Sequence, residues 1–197
     1  TFYYVVHMFA VKKKYFLIIE NIKDIDLKNI KKPNKFIIIY RNNEKKNNII
    51  NLIEFRKKCK QKLIKFYVAN DQHLAVKLNS DGIYLSAFNK SFKPLHLKRS
   101  NYQMIGSAHN LKEIKHKVKQ GCKIILFSRL FKVNYKKNLG FLGVNKFNYY
   151  TFLYKNLIPL GGINYESLNK IKSINSEYFA ILSEVKKKPA KIFSRLF

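Results

Sequence analysis

Short apolar runs separated by polar turns recur along almost the whole chain. They are continuously hydrophobic instead of alternating with polar residues, which is typical of parallel strands that are buried on both faces. Polar clusters bound each run, as expected for strands of this length. The pattern predicts eight strands, at residues 15–20, 35–40, 63–68, 82–85, 102–106, 123–127, 157–160 and 178–182.

Helical periodicity separates several of these runs. After Asn110, Glu113 stands at the spacing of a capping box, and Leu111, Ile114 and Val118 form a stripe that we expect to be buried. Three further helices are predicted. The first spans residues 48–60 and has Ile49, Leu52, Ile53 and Cys59 near one side. The second is capped by Asp71 and carries the apolar residues Leu74, Ala75 and Leu78, and the third is capped by Asn164 and carries Leu168 and Ile171.

Eight β/α units without a break in composition predict an α/β protein, a single-domain (β/α)₈ TIM barrel. A doubly wound open sheet is the alternative, because periodicity does not show whether a sheet closes. We assign residues 15–185 to the barrel and residues 186–197 to a basic C-terminal helix or tail. Residues 1–14 form an N-terminal extension. Residues 1–7 precede Met8 and suggest a fragment edge or translated upstream sequence, so this part need not be native.

The chain carries a formal net charge of +29. Such a charge suggests nucleic-acid binding, because cationic side chains release counterions from phosphate backbones. The lysines, however, are spread along the whole chain in twos and threes, without an aromatic RNA-binding motif or zinc-ligand spacing. We therefore expect no dedicated nucleic-acid site, although the charge favours anionic ligands through long-range attraction.

Two further features bear on the compartment. No apolar run approaches the about 20 residues that a membrane-spanning helix needs, so we expect no membrane association. Cys59 and Cys122 have no partner at metal-ligand spacing, and two isolated thiols are typical of a reducing cytoplasm. The predicted location is cytoplasmic.

Polar side chains follow the predicted strands at the end where this barrel forms its active sites. Together they would make a cationic, hydrogen-bonding ring with one carboxylate, which indicates a phosphate or pyrophosphate pocket. The ring comprises Arg41 after the second strand, Asn70 and Asp71 after the third, Ser107 and His109 after the fifth, Ser128 and Arg129 after the sixth, Gly161 and Gly162 after the seventh, and Ser183 after the eighth.

Gly161 and Gly162 are the strongest single signal. A glycine pair between a strand and a helix lets main-chain N–H groups approach a phosphate closely. Ser183 would add a hydroxyl, since the loops after strands seven and eight commonly bind phosphate in this fold. The alternative is a tight turn that binds nothing.

Four other residues each allow two interpretations. Asp71 could bind Mg²⁺, which commonly accompanies pyrophosphate, or it could cap the following helix. His109 could be a general acid or base, or a hydrogen-bonded loop histidine. Arg41 could clamp a phosphate or pair with an acid in a nearby loop. Lys136 could be solvated or could contact a phosphate from a long loop.

The order of these motifs resembles thiamine-phosphate synthase and its relative, the TenI tautomerase. The matching segments run from residue 15 to residue 185, and they lie in the same order as in that family. They are Asn70-Asp71, Asp81-Gly-Ile-Tyr-Leu85, Ile105-Gly-Ser-Ala-His109, Gly161-Gly-Ile163 and Ala180-Ile-Leu-Ser183.

The resemblance implies a TIM barrel that joins hydroxymethylpyrimidine pyrophosphate to a thiazole phosphate and releases pyrophosphate. Gly162 and Ser183 would then hold the thiazole phosphate, and Asp71 would bind Mg²⁺. Arg41 and Lys136 would lie near the pyrophosphate. The candidate catalytic residues are His109 and Ser107, and the further substrate-binding candidates are Asn70 and Gly161. The partners implied are these two small molecules, with self-association left open.

The chain departs from the family pattern on the pyrimidine side. Ile39 and Asn43 stand where the family has the glutamine and lysine of Gln-x-Arg-x-Lys, and Asn89 replaces a second aspartate. The family's Gly-Pro-x-Phe-x-Thr stretch after strand six is also replaced here. A TenI-like tautomerase with His109 as the acid/base is therefore the second hypothesis. A non-catalytic binder of phosphate ligands or nucleic acid is the third.

Overall fold

A computed structural model describes residues 14–30, 32–42, 48–100, 102–133, 140–164 and 166–182, with the side chains of 97–100 excepted. The predicted strands are all present within this part of the chain. Lys136, Ser183, nearly all of the N-terminal extension and the C-terminal segment lie outside it. The strands are β1 Lys14–Ile19, β2 Phe36–Tyr40, β3 Lys65–Ala69, β4 Gly82–Leu85, β5 Gln103–Ala108, β6 Ile124–Ser128, β7 Leu157–Leu160 and β8 Tyr178–Ile181.

The eight strands form one closed parallel barrel in sequence order. Closure is made by β1 and β8, which pair in parallel from Lys14 opposite Tyr178 to Leu17 opposite Ile181. The barrel is confirmed, and the open doubly wound sheet is excluded. All carboxyl ends of the strands therefore meet at one face, where this fold carries its ligand sites.

Both faces of the strands are buried, and for this reason the strand sequences do not alternate. Side chains from all eight strands fill the barrel interior, including Phe16, Tyr67 and Tyr84. The opposite positions, such as Tyr15 and Leu17 on β1, pack in the layer outside the barrel. Each strand thus contributes apolar area twice, once inside the barrel and once outside it.

The described connections contain five α-helices and four short 3₁₀ helices. The chain from β1 to β2 uses only 3₁₀ turns, at Ile22–Asp24, Leu27–Asn29 and Pro33–Lys35, and the fourth spans Lys93–Ser100. None of the described helices is long and apolar enough to cross a membrane. The α-helices are α1 Ile49–Gln61, α2 Gln72–Lys77, α3 Leu111–Lys119, α4 Gly143–Leu153 and α5 Leu168–Ile171.

Two predicted N-caps, Asp71 and Asn110, are confirmed, because each accepts a main-chain hydrogen bond from the first turn of the helix that follows. Asn48 caps α1 in the same way. Asn164 is not a helix cap: α5 begins after Ser167, and the Asn164 side chain accepts a hydrogen bond from the Ser167 N–H instead. Asn164 thus closes the turn that precedes the short helix.

The predicted buried stripe of α3 is partly wrong. Ile114 is buried, but Leu111 and Val118 are 38% and 51% exposed. The side chains that face the barrel at the C-terminal end of this helix are instead Lys117 and Gln120. Ile53 of α1 is likewise 46% exposed. Partly polar helix faces are therefore turned inward in this barrel.

Candidate active site

A cavity of about 330 Å³ opens at the carboxyl ends of the strands. We call it the central cavity. Its walls come from seven of the eight strand ends, so it exists only because the barrel is closed. The residues with polar groups or glycine main chain that line it are Arg41, Asn70, Tyr84, Ser86, Ser107, His109, Ser128, Arg129, Gly161 and Gly162.

Arg41 directly follows β2 and is held by neighbouring elements. Its main-chain N–H donates to the carbonyl of Ile19 (2.8 Å), and its guanidinium donates to a carboxylate oxygen of Glu20 (3.3 Å). The side chain is 26% exposed. Its Nε atom is buried, and no hydrogen-bond partner for it lies within the described part of the chain. Arg41 therefore pairs with an acid, as one interpretation held, and also presents its charge to the cavity.

The floor of the central cavity is formed by Tyr84. The ring lies inside the barrel and is almost fully buried, and Ser107 and Arg41 are the polar neighbours that act on its hydroxyl. Burial raises the pKa of the Tyr84 hydroxyl above its ordinary value, and the neighbouring Ser107 and Arg41 oppose this effect. Tyr84 is therefore a neutral phenol at physiological pH, and it lies in the central cavity together with Ser107 of β5 and Arg41.

His109 stands at the mouth of the same cavity, just before α3. Its main-chain N–H donates to Glu113 Oε2 (2.8 Å), and its Nδ1 lies 3.0 Å from the same oxygen. Burial acts to raise the pKa of the Glu113 carboxyl, but these contacts with His109 outweigh it, so the pKa is lowered. The ring also lies beside Phe88, with 6.1 Å between centroids. Glu113 thus fixes the orientation of a half-exposed imidazole.

The glycine pair makes a turn that only glycine accommodates well. Gly161 and Gly162 have φ values of +95° and +68°. A Cβ on Gly162 would lie 2.6 Å from the main-chain carbonyl of Phe131, and one on Gly161 would lie 3.3 Å from Arg129. The loop after β6 therefore packs directly against the glycine turn. This contact brings a second arginine, Arg129, to the central cavity beside the two glycines.

A second cavity of about 470 Å³ adjoins the first on the side of β2 and β3. We call it the lateral cavity. It shares Arg41 and Asn70 with the central cavity, so the two form one continuous polar surface. Its other lining residues include Asn42, Asp71, Gln72, His73, Asn89, Ser91 and Lys93.

Asp71 lies in the lateral cavity and caps α2. Its Oδ1 accepts the Leu74 N–H (2.9 Å), so the capping interpretation is confirmed. Beside it, Asn70 Oδ1 accepts hydrogen bonds from the Ser86 N–H (2.9 Å) and from the Asn89 side chain (3.2 Å). Among the described residues, no group of three or more His, Cys, Asp or Glu side chains could hold a metal ion. A cation in the lateral cavity would be held by one protein carboxylate, that of Asp71, together with groups of a bound substrate.

Most of the predicted ring residues are brought together. Arg41, Asn70, Ser107, His109 and the glycine pair all line the central cavity, and Asp71 lies in the lateral cavity. Lys136 and Ser183 lie outside the described residues.

The sequence analysis assigned no role to Tyr84 or Arg129, although both line the central cavity. Tyr84 was counted as an apolar strand residue, although its place near the carboxyl end of β4 was a usable signal. Arg129 was placed in the ring, but no role was assigned to it, because only the packing of its loop on Gly161 shows that it faces the cavity.

Comparisons with known structures show the fold. Thiamine phosphate pyrophosphorylase from Pyrococcus furiosus superposes with a TM-score of 0.69 at 15% identity, covering 95% of this chain and 98% of that one. KGPDC from Streptococcus mutans gives a TM-score of 0.61 at 8% identity, covering 94% and 95%. A 2-keto-3-deoxy-6-phosphogluconate aldolase of Zymomonas mobilis gives 0.56 at 13% identity, covering 98% and 92%.

Sequence comparisons are more specific. A curated thiamine-phosphate synthase from Prochlorococcus marinus subsp. pastoris is 32% identical over 143 residues, which cover 70% of this chain and 40% of the relative. The matched region thus spans about two fifths of that relative's length. The family model described as thiamine monophosphate synthase matches residues 25–185, nearly the whole barrel. The resemblance inferred from the motifs is thereby confirmed, and the chain belongs to the thiamine monophosphate synthase family.

Proposed function

We propose that this barrel is a transferase of thiamine biosynthesis that couples hydroxymethylpyrimidine pyrophosphate to thiazole phosphate. The observation that carries the proposal is the pair of adjoining cavities that share Arg41 and Asn70. Two phosphorylated substrates must lie side by side for this reaction, and each cavity offers groups suited to one anion. The family relationship supports the same assignment.

The central cavity suits the thiazole phosphate. Gly161 and Gly162 line this cavity with main chain that carries no side chain, and Arg129 supplies a positive charge beside them. Ser183 is proposed to add a hydroxyl from the end of the barrel. Guanidinium and main-chain N–H groups are the usual partners of a phosphate monoester.

The lateral cavity suits the pyrophosphate. Arg41 stands between the two cavities, and Lys93 and His73 lie around the lateral one. In the proposed reaction the bond between the pyrimidine methylene carbon and the pyrophosphate oxygen breaks, and its electron pair leaves with pyrophosphate. The lone pair of the thiazole nitrogen then forms the new C–N bond. Cationic groups accelerate the first step because they stabilise the departing charge. Lys136 is proposed to approach the same anion.

Mg²⁺ fits this site as a partner of the pyrophosphate. The cap uses Asp71 Oδ1, and Asp71 lines the lateral cavity, so its carboxylate could also receive a cation there. Mg²⁺ is commonly held by one or two carboxylates together with substrate phosphates. Asp71 would therefore hold the ion, which would supply positive charge to the leaving group. Asn89, at the neighbouring position, offers only a neutral amide.

The first test is an assay for thiamine phosphate with purified protein, both substrates and Mg²⁺. We expect product that requires the protein and both substrates. Asp71→Asn is the matched variant, since asparagine caps helices about as well as aspartate but carries no charge. It should keep the wild-type melting temperature and lose Mg²⁺-dependent turnover. Full turnover by Asp71→Asn would contradict the metal assignment, and absence of product from the wild type would contradict the synthase.

A second candidate function rests on His109 and Glu113. Their 3.0 Å contact orients an imidazole at the central cavity, as a thiazole tautomerase would need for proton transfer. If the wild type binds thiazole phosphate but forms no product, isomerisation of the thiazole carboxylate phosphate is the next assay. Loss of that isomerisation in His109→Asn would support the tautomerase.

A further inference from the structure

Two polar side chains at the C-terminal end of α3 are completely buried. Lys117 and Gln120 are each 0% exposed, in the layer between α3 and the barrel wall. The stem of Lys117 lies against Gly106 of β5, where an added Cβ would be 2.9 Å from Lys117 Cδ. Because Gly106 has no side chain, the stem of Lys117 can occupy this position. Burying an ammonium group costs free energy unless its hydrogen bonds are satisfied.

Those hydrogen bonds go to the loop that follows β4. Lys117 Nζ donates to the Asn89 carbonyl (2.7 Å) and to Gln120 Oε1 (2.8 Å). Gln120 Nε2 donates to the carbonyls of Asn89 (3.1 Å) and Ser91 (2.7 Å). The ring of His116, one position before Lys117, packs on Phe92 with 5.2 Å between centroids. Consecutive parts of one helix thus hold residues 89–92, which form neither strand nor helix.

The segment held in this way continues the loop after β4, and this loop lines both cavities. Ser86 and Phe88, just before the held segment, line the central cavity, and Asn89 and Ser91 within it line the lateral cavity. The Asn89 side chain in turn donates to Asn70 Oδ1. The contacts of Lys117 and Gln120 fall on the lateral side, at the carbonyls of Asn89 and Ser91.

We propose that Lys117, acting with Gln120, is a positioning residue that shapes the 89–91 segment to receive the pyrophosphate-bearing substrate. The inference rests on the proposed function for the identity of that ligand. An apolar side chain would fill the same space and avoid the burial of a charge. The structure instead directs four hydrogen bonds from this pair of side chains, three of them to the wall of the lateral cavity. Lys117 is not itself a cavity-lining residue, and it acts through Asn89 and Ser91.

The test is calorimetric binding of each substrate separately, so that it does not depend on turnover. Lys117→Met keeps the length of the stem and removes the donors. We expect its Kd for hydroxymethylpyrimidine pyrophosphate to rise on the order of tenfold, because hydrogen bonds from a charged donor are lost. Its Kd for thiazole phosphate should not change. Lys115→Met, on the exposed side of the same helix, is the matched control and should bind both ligands as the wild type does.

Gln120→Glu provides an independent variant if Lys117→Met folds poorly. The carboxylate still accepts from Lys117 but no longer donates to the Asn89 and Ser91 carbonyls, so the same selective loss is expected. An unchanged Kd for the pyrophosphate in these variants would overturn the inference. So would equal losses for both ligands that follow the melting temperature, or a wild type that does not bind the pyrophosphate. Binding without turnover in the wild type would instead refute the synthase and leave the positioning role supported.

Discussion

The buried ammonium of Lys117 predicts a contribution to stability that becomes more favourable as the pH rises above neutrality. Burial lowers the pKa of Lys117 from the ordinary 10.5 to about 8, with Cys122, Lys90 and Glu113 as the charged or titratable neighbours. Between these two values the unfolded chain binds more protons than the folded one. The contribution of Lys117 to the free energy of unfolding must therefore increase with pH across this window.

The size of the effect follows from the two pKa values. A difference of about 2.5 between them corresponds to about 3.4 kcal/mol for the whole titration. About 2 kcal/mol of this is gained between about pH 7 and about pH 9.5. The thiols of Cys59 and Cys122 ionise in the unfolded chain within the same interval and have the opposite effect on stability. The contribution of Lys117 is therefore measured as the difference between the wild type and a variant without the ammonium group.

The assay is urea unfolding of the wild type and of Lys117→Met at several pH values in this interval. The free energy of unfolding of the wild type should rise relative to that of the variant by about 2 kcal/mol. Lys115→Met, with its side chain exposed, should follow the wild type. Parallel curves for the wild type and Lys117→Met would refute the reasoning, because they would mean that Lys117 titrates alike in both states.

Three further predictions concern the cavities and the thiols. Gly162→Ala should lower the free energy of unfolding by about 1–3 kcal/mol, because φ is +68° and the new Cβ would meet the Phe131 carbonyl; a melt comparable to the wild type would contradict this. Arg41→Met should weaken binding of the pyrimidine pyrophosphate on the order of tenfold or more, measured by calorimetry, and unchanged affinity would remove Arg41 from the site. Burial raises the pKa of the Cys59 and Cys122 thiols to about 12, so a thiol reagent at pH 8 should label them only after unfolding, and rapid labelling of the native protein would be the contrary result.

The sequence predicted the strands well because a strand that is buried on both faces appears in the sequence as a short, continuous apolar run. The third strand, for example, was expected at residues 63–68 and is observed at Lys65–Ala69. Helix starts at Asp71 and Asn110 were equally predictable, since each cap and its target N–H are only three residues apart. Such short-range interactions do not depend on the rest of the fold.

The sequence also indicated most residues around the central cavity. In a parallel barrel all carboxyl strand ends face one way, so polar residues after the strands had to gather there. The sequence predicted the positions of these residues better than it predicted their roles. Asp71 caps α2 and Arg41 pairs with Glu20, as one interpretation of each residue held. Both residues nevertheless line the lateral cavity as well.

Only the tertiary structure decided three matters: closure of the sheet, the division of the polar surface into two adjoining cavities, and the burial of Lys117 and Gln120. Periodicity along α3 placed Val118 inside and gave no reason to bury a lysine, yet the observed order is the reverse. The reason is that Lys117 finds its partners at Asn89, 28 residues away, and its space at Gly106 of β5. The sequence by itself determined which segments are strands and that Asp71 and Asn110 cap their helices, because those properties depend on near neighbours. Contacts between distant segments determined the rest.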